Sequence, residues 1–151
     1  MMDRCANAYQ YHREGYNCAQ SVVAAFLDKL DLTKEQAMAM AGGFGGGVGG
    51  THCEMCGAVS GAVLVLSLLT PHTEGADTAG KKQVYGIAKE FHQRYAEAFG
   101  GLTRCGDLLK ARPGVNEKTQ AAARLGITAH CDVMIVTAVE IVEAMLAERG
   151  E

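Results

Sequence analysis

The chain has 151 residues, 48% of them hydrophobic and 21% charged, and carries a net charge of −3 from 14 basic and 17 acidic side chains. This composition excludes a disordered chain and predicts one domain over residues 1–151 with its own apolar core. No dense run of Lys and Arg is present, which argues against nucleic acid as a partner.

The longest apolar run, 58–69, is shorter than the roughly 20 residues that span a bilayer, so we expect no membrane insertion. The first residues contain no apolar segment of the kind a secretory signal needs, which predicts a cytoplasmic protein. Six cysteines are many for such a protein. In a reducing compartment they indicate metal binding or redox chemistry before structural disulfides.

Apolar residues recur at helical spacing along most of the chain. This pattern predicts an all-α fold, a bundle of about five to seven helices with a glycine-rich interhelical loop. The expected helices span 3–14, 17–30, 33–42, 54–69, 78–99, 103–109 and, from Thr128 or His130, up to 148, with a short helix or a loop over 116–126. Asn17 and Thr33 each precede a glutamine by three residues, which is typical of a capping box.

Four cysteines fall at predicted helix starts: Cys18, Cys56, Cys105 and Cys131. Exposed N–H groups and the helix dipole favour a thiolate there, so we expect lowered thiol pKa values. Apolar neighbours at helical spacing indicate that each cysteine faces inward. If the helices pack side by side, the four sulfurs converge at one end of the bundle. The alternative is that these cysteines are ordinary core residues, as free cysteines often are.

Cys53 and Cys56 form a C-x-x-C pair, a spacing that serves metal ligands or a dithiol switch. Gly57 stands where a c-type haem attachment site needs histidine, so that function is excluded. No strand is predicted before the pair, which argues against a thioredoxin-like site. Cys5, on the first helix, is predicted to be a core or surface residue.

Two histidines directly precede cysteines, at His52-Cys53 and His130-Cys131. Each imidazole either donates to a thiolate, joins a metal site or is exposed at a helix start.

The run 42–50 has seven glycines in nine residues, and each glycine makes the free energy of helix formation less favourable. We therefore expect this run not to be helical. It lacks the Gly-Lys-Ser/Thr and the preceding strand of a phosphate-binding loop. Glycines also let a backbone approach packed helices or a bound group closely. We therefore predict that Gly45, Gly46 and Gly47 contact a cofactor, with N–H groups directed at its sulfurs or at thiolates. The Gly57-x-x-x-Gly61 spacing indicates tight helix packing.

Three segments together resemble a known family: Gly15-Tyr16-Asn17-Cys18-Ala19-Gln20, Gly42-Gly43-Phe44-Gly45-Gly46-Gly47 and Cys56-Gly57-Ala58-Val59-Ser60-Gly61. With Cys105 and Cys131 as the last two cysteines, residues 15–144 are similar to the redox-active C_GCAxxG_C_C proteins. A related helical domain begins the split-Soret cytochromes, where an iron–sulfur centre has been proposed. The resemblance therefore implies redox activity.

The chain departs from the family pattern at one cysteine. The pattern places its second cysteine between Gly and Ala, whereas Cys56 precedes Gly57 here. A shift of one residue turns a helical side chain by about 100°, which makes Cys53 an alternative to Cys56.

The leading interpretation is a redox or electron-transfer protein that holds an iron–sulfur cluster and exchanges electrons with a partner protein. The expected ligands are Cys18, Cys56, Cys105 and Cys131, with Cys53 as a substitute; zinc, or no cofactor, is the alternative. A second interpretation is a metal-free thiol–disulfide oxidoreductase that uses Cys53 and Cys56. A third is a non-catalytic helical module that binds a ligand or a partner. The sequence does not decide whether the protein is an enzyme. Its high content of apolar residues is compatible with a homodimer.

Overall fold

The computed structural model describes residues 2–151, which form eight α-helices and two short 3₁₀ helices. The α-helices are α1 (Arg4–Arg13), α2 (Cys18–Ala24), α3 (Lys34–Ala41), α4 (Gly57–Leu69), α5 (Thr78–Ala98), α6 (Cys105–Ala111), α7 (Ala121–Arg124) and α8 (His130–Glu148). The 3₁₀ helices are Leu27–Lys29 and Gly42–Phe44. Residues 2–151 contain no β-strand, only two isolated bridges, so the predicted all-α fold is confirmed.

Side-chain caps fix where two of the helices begin. The Asn17 side chain accepts the N–H of Gln20, while the Gln20 side chain accepts the N–H of Asn17. Thr33 and Gln36 repeat the arrangement at α3. Such caps are worth about 1 kcal/mol each because they satisfy backbone donors that the helix leaves unpaired. Both predicted capping boxes are confirmed, and the first makes Cys18 the first residue of α2.

The core is one continuous apolar cluster around α8, which packs against α1, α2, α4, α5 and α7. Tyr95, Phe26 and Phe91 are its largest fully buried side chains. Helices α2 and α4 approach closely at Gly61, where a Cβ would lie 2.7 Å from the carbonyl oxygen of Ala19. The tight packing predicted from the glycine spacing is therefore confirmed.

The predicted length of the second helix is wrong, because α2 ends at Ala24 rather than at residue 30. The Arg4 guanidinium on α1 donates a hydrogen bond to the carbonyl oxygen of Ala25 at 2.8 Å. It also donates to the carboxylate of Asp28. From Phe26 onward the backbone bonds tighten to the i→i+3 pattern, which produces the 3₁₀ turn instead of a continued α-helix.

None of the helices within residues 2–151 combines the length and the apolar character that crossing a membrane requires.

Candidate functional site

A small apolar cavity of about 70 Å³ lies where α2, α4, α6 and α8 begin. Its walls include four cysteines, Cys18, Cys56, Cys105 and Cys131, together with Gly46, His52, Gly57, Leu108, Leu109, His130 and Met134. Cys18 and Cys105 are the first residues of their helices, Cys131 is the second residue of α8, and Cys56 is the N-cap of α4. The structure thus brings to one place the four thiols that the sequence places at helix starts.

The four thiols differ in exposure. Cys56 is buried, with 6% of its surface exposed, and Cys18 and Cys105 are half-buried. Cys131 lines the same cavity but keeps more exposed surface than the other three. Since α8 begins only one residue earlier, Cys131 stands at the rim of the bundle. The cavity therefore has a closed side at Cys56 and an open side at Cys131.

An antiparallel bridge joins the chain just before α4 to the chain just before α6. The N–H of Cys56 donates to the carbonyl of Thr103 at 2.8 Å, and the N–H of Cys105 donates to the carbonyl of Glu54 at 2.9 Å. These bonds hold residues 54–56 extended, so the predicted start of the fourth helix at residue 54 is wrong. Helix α6 begins at Cys105, after Arg104 as its N-cap, and not at the predicted residue 103. The bridge fixes Cys56 and Cys105 relative to each other.

Gly57 explains how the chain tolerates its departure from the C_GCAxxG_C_C pattern. A Cβ at position 57 would overlap the Sγ of Cys18, so this position points at the thiol site. Cys56 lies outside the regular helix, with φ −52° and ψ 135°. The 100° rotation expected within a helix therefore does not apply, and Cys56 lines the same cavity from the N-cap.

The glycine-rich loop makes a left-handed turn against the site. Residues 46–50 all have positive φ, between 61° and 71°, and Val48 is the one member that is not glycine. Left-handed backbone costs about 1–2 kcal/mol for a residue with a Cβ, which explains the glycine content. The N–H of His52 closes the turn on the carbonyl of Gly46 at 2.9 Å.

The three glycines predicted to contact a cofactor have different neighbours. Gly46 lines the cavity. Gly47 packs on the site from outside, because a Cβ there would lie 2.6 Å from the Cβ of Cys105. Gly45 packs against the Asn17 side chain, which caps α2. The loop therefore covers the site and its first helix cap.

Two side chains approach the cavity sulfurs at hydrogen-bond distance. The hydroxyl of Tyr95 on α5 donates to the Sγ of Cys56 at 3.4 Å. The Nδ1 of His52 lies 3.3 Å from the Sγ of Cys105, not from the adjacent Cys53. Sequence analysis missed Tyr95. Its only sequence signal is the aromatic spacing of four residues on α5 with Phe91 and Phe99, which predicts core packing rather than a site.

The predicted lowering of the thiol pKa values is wrong for three of the four cysteines. Burial raises the pKa of Cys56 to about 11, although the hydrogen bond from Tyr95 acts in the opposite direction. Burial, followed by the neighbouring thiols, also raises the pKa of Cys105 and of Cys131. Loss of hydration outweighs the helix N-terminus here. These three cysteines are thiols at neutral pH, and a metal would have to displace their protons.

His130 lines the cavity and has a buried ring nitrogen without a hydrogen-bond partner. Its Nδ1 accepts and donates no hydrogen bond, and the side chain lines the cavity. Burial, together with nearby Arg112, lowers the pKa of His130. An unpaired buried polar atom costs about 1–3 kcal/mol. Within residues 2–151, no group of three or more His, Cys, Asp or Glu side chains is arranged to hold a metal ion.

The other two cysteines lie away from the cavity wall. Cys53 is exposed, and its Sγ lies 3.3 Å from the carbonyl oxygen of Thr51. Cys5 is buried in the core on α1, with its Sγ 3.6 Å from the carbonyl oxygen of Val136. The structure therefore brings together Cys18, Cys56, Cys105 and Cys131 and leaves Cys53 outside.

Comparison with curated proteins and with solved structures gives no match. One protein family matches residues 16–145, which include the four cavity cysteines and the glycine-rich loop. The chain therefore belongs to the family described as "Putative redox-active protein (C_GCAxxG_C_C)".

Proposed function

We propose that this redox-family protein is an electron-transfer protein that holds an iron–sulfur cluster through four thiolates. The proposed ligands are Cys18, Cys56, Cys105 and Cys131. The observation that carries the proposal is that these four thiols, from four separate helix starts, line one cavity. Cysteine thiolates are the usual ligands of iron–sulfur clusters.

The size of the cavity supports a cluster over a single zinc ion. A cavity of about 70 Å³ is several times the roughly 10–15 Å³ that one water requires. Structural zinc held by cysteines needs four sulfur atoms at about 2.3 Å from one point, whereas a cluster presents separate metal atoms to separate thiolates. Thiols spread around a cavity wall suit the second case. The His130 side chain also lines this cavity.

A bound cluster would accept and release single electrons, and the surrounding residues would tune its reduction potential. Leu108, Leu109 and Met134 form an apolar wall that limits water at the site. On the open side, Cys131 and His52 are exposed. The opposite side, at Cys56, is covered by α5. The open side therefore offers a redox partner protein the shortest approach to the cluster.

Anaerobic purification with analysis of iron, sulfide and visible absorption tests the proposal. We expect a brown protein with stoichiometric iron and sulfide. Cys18→Ser and Cys131→Ser should each abolish retention of iron. Cys5→Ala is the matched control, because Cys5 is a buried cysteine outside the cavity and its loss should leave the iron content unchanged.

Other results would favour the other interpretations. A colourless protein that loses two thiols on mild oxidation would support a metal-free oxidoreductase. Stoichiometric zinc without iron would support a structural metal site. Comparing Cys53→Ser with Cys56→Ser separates the two members of the C-x-x-C pair, and we expect iron loss only in Cys56→Ser.

A further inference from the structure

The hydroxyl of Tyr95 is buried beside the thiols. Tyr95 has no exposed surface, and its ring packs between Phe91 and Phe99 on α5, with ring centres 5.9 and 4.9 Å away. This packing leaves the hydroxyl directed at one partner, the Sγ of Cys56, at 3.4 Å. A buried hydroxyl needs a hydrogen-bond partner, and here that partner is a sulfur atom.

The strength of this hydrogen bond depends on the state of the sulfur. A neutral thiol is a weak acceptor. A thiolate, free or metal-bound, carries negative charge and accepts a shorter and stronger hydrogen bond, by roughly twofold over a neutral pair. The Tyr95 hydroxyl therefore interacts more favourably with the ligand form of Cys56 than with its protonated form.

We propose that Tyr95 is a positioning residue whose hydroxyl is dedicated to the Cys56 sulfur, and that it stabilises the metal-bound thiolate. The proposal rests on the proposed iron–sulfur function. It deepens that function by assigning a role to a residue on α5, a helix that contributes no cysteine. Outer partners of this kind typically change metal affinity by 10–100-fold when they are removed.

The environment of Cys56 makes such a donor necessary. Cys56 is the most buried of the four thiols at the cavity, with 6% of its surface exposed, and burial opposes charge on any side chain. Little water reaches a sulfur that is this buried, so a fixed donor from the protein takes the place of water. Cys105 has the exposed His52 as its neighbour instead. The closed side of the site thus has its own internal donor.

The hydrogen bond also predicts the sign of an effect on redox potential. Reduction adds negative charge to the bound group, and a donor to a ligand sulfur stabilises that charge. Removing the hydroxyl should therefore lower the reduction potential. A purely structural contribution of the ring would not move the potential in a fixed direction, because Tyr95→Phe keeps the ring.

The test compares Tyr95→Phe with Tyr85→Phe after anaerobic reconstitution with ferrous iron and sulfide. Tyr85 lies on the same helix but is 63% exposed, so it controls for loss of a tyrosine hydroxyl on α5. We expect Tyr95→Phe to lose iron to a chelator at least tenfold faster and to have a lower midpoint potential. Tyr85→Phe should match the wild type in both. Equal chelation rates and potentials in all three proteins would overturn the proposal.

A metal-free measurement separates this proposal from the proposed function. The S–H stretching band of Cys56, identified by its absence in Cys56→Ser, should shift in metal-free Tyr95→Phe and not in Tyr85→Phe. A wild-type protein that retains no iron would refute the cluster, and the shift of this band would still decide whether the hydroxyl serves the Cys56 sulfur. An unshifted band in Tyr95→Phe refutes the assignment of Tyr95.

Discussion

Gly57 lies so close to Cys18 that any side chain at position 57 would overlap the Cys18 sulfur. The first turn of α4 can therefore pack against the first turn of α2 only because Gly57 has no Cβ. This contact sets how near the Cys18 and Cys56 thiols approach, because Cys56 is the residue immediately before Gly57. The position of one cavity thiol depends on the small size of the residue beside another.

Gly57→Ala should displace the Cys18 sulfur and impair the site. We expect a loss of about 1–3 kcal/mol in the free energy of unfolding, as for an overpacked core, together with reduced iron retention. Denaturant titration and iron analysis measure the two effects. Gly86→Ala is the control: it lies inside α5 with open space around it, so alanine should stabilise the helix by about 0.5–1 kcal/mol. A fully iron-loaded Gly57→Ala would show that the contact does not position the thiol.

Two glycines of the loop allow backbone strain to be separated from contact with the site. Gly47 and Gly49 have nearly the same left-handed φ, 69° and 63°. A Cβ at Gly47 would meet the Cβ of Cys105 at 2.6 Å, whereas a Cβ at Gly49 would meet nothing within 4 Å. Left-handed backbone should cost alanine about 1–2 kcal/mol in unfolding free energy at either position. The overlap with Cys105 should add to this cost at Gly47 alone. Only Gly47→Ala should also reduce iron retention, and equal iron content in the two variants would argue against the contact.

Features set by neighbouring residues could be predicted from the sequence. Asn17 and Gln20 lie three residues apart, and their capping box placed Cys18 correctly at the start of α2. The all-α fold and the tight packing at Gly61 followed from helical spacing in the same way. Each depends on residues within one or two helical turns.

Features set by distant residues could not be predicted. The backbone hydrogen bonds of Cys56 and Cys105 join segments about 50 residues apart. Short irregular segments have no sequence pattern from which such pairing can be predicted. The predicted lowering of the thiol pKa values was wrong for the same reason. A helix N-terminus is visible in the sequence, whereas the burial that outweighs it exists only after packing. Tyr95 belongs to this class too, since only the fold directs its hydroxyl at Cys56.

Two glutamates on α8 should give opposite pH effects on stability. Burial raises the pKa of Glu143, so its charge destabilises the folded protein at neutral pH, and this cost disappears as the pH falls through the raised pKa. The hydrogen bond from Arg94 lowers the pKa of Glu148, so its charge stabilises the fold, and that contribution is lost as the pH falls through the lowered pKa.

Denaturant titration from neutral to acidic pH checks both signs. Glu143→Gln should be more stable than the wild type at neutral pH, by less than about 1 kcal/mol because the side chain is only partly buried. Glu148→Gln should be less stable. Both differences should shrink in acid, where the wild-type carboxylates are protonated. A destabilised Glu143→Gln at neutral pH would contradict the assignment of burial as the dominant effect.

His130→Leu should separate stability from binding. The His130 side chain lines the cavity and its Nδ1 is buried without a partner, so leucine removes an unsatisfied polar atom. We expect the metal-free variant to gain about 1 kcal/mol in unfolding free energy and to retain less iron, because the bound group would lose a contact. His72 is a matched control, since its Nε2 is also buried without a partner but lies in the α4–α5 linker, outside the cavity wall. His72→Leu should gain similar stability with unchanged iron. If both variants keep the wild-type iron content, the unpaired nitrogen of His130 does not serve the occupant of the cavity.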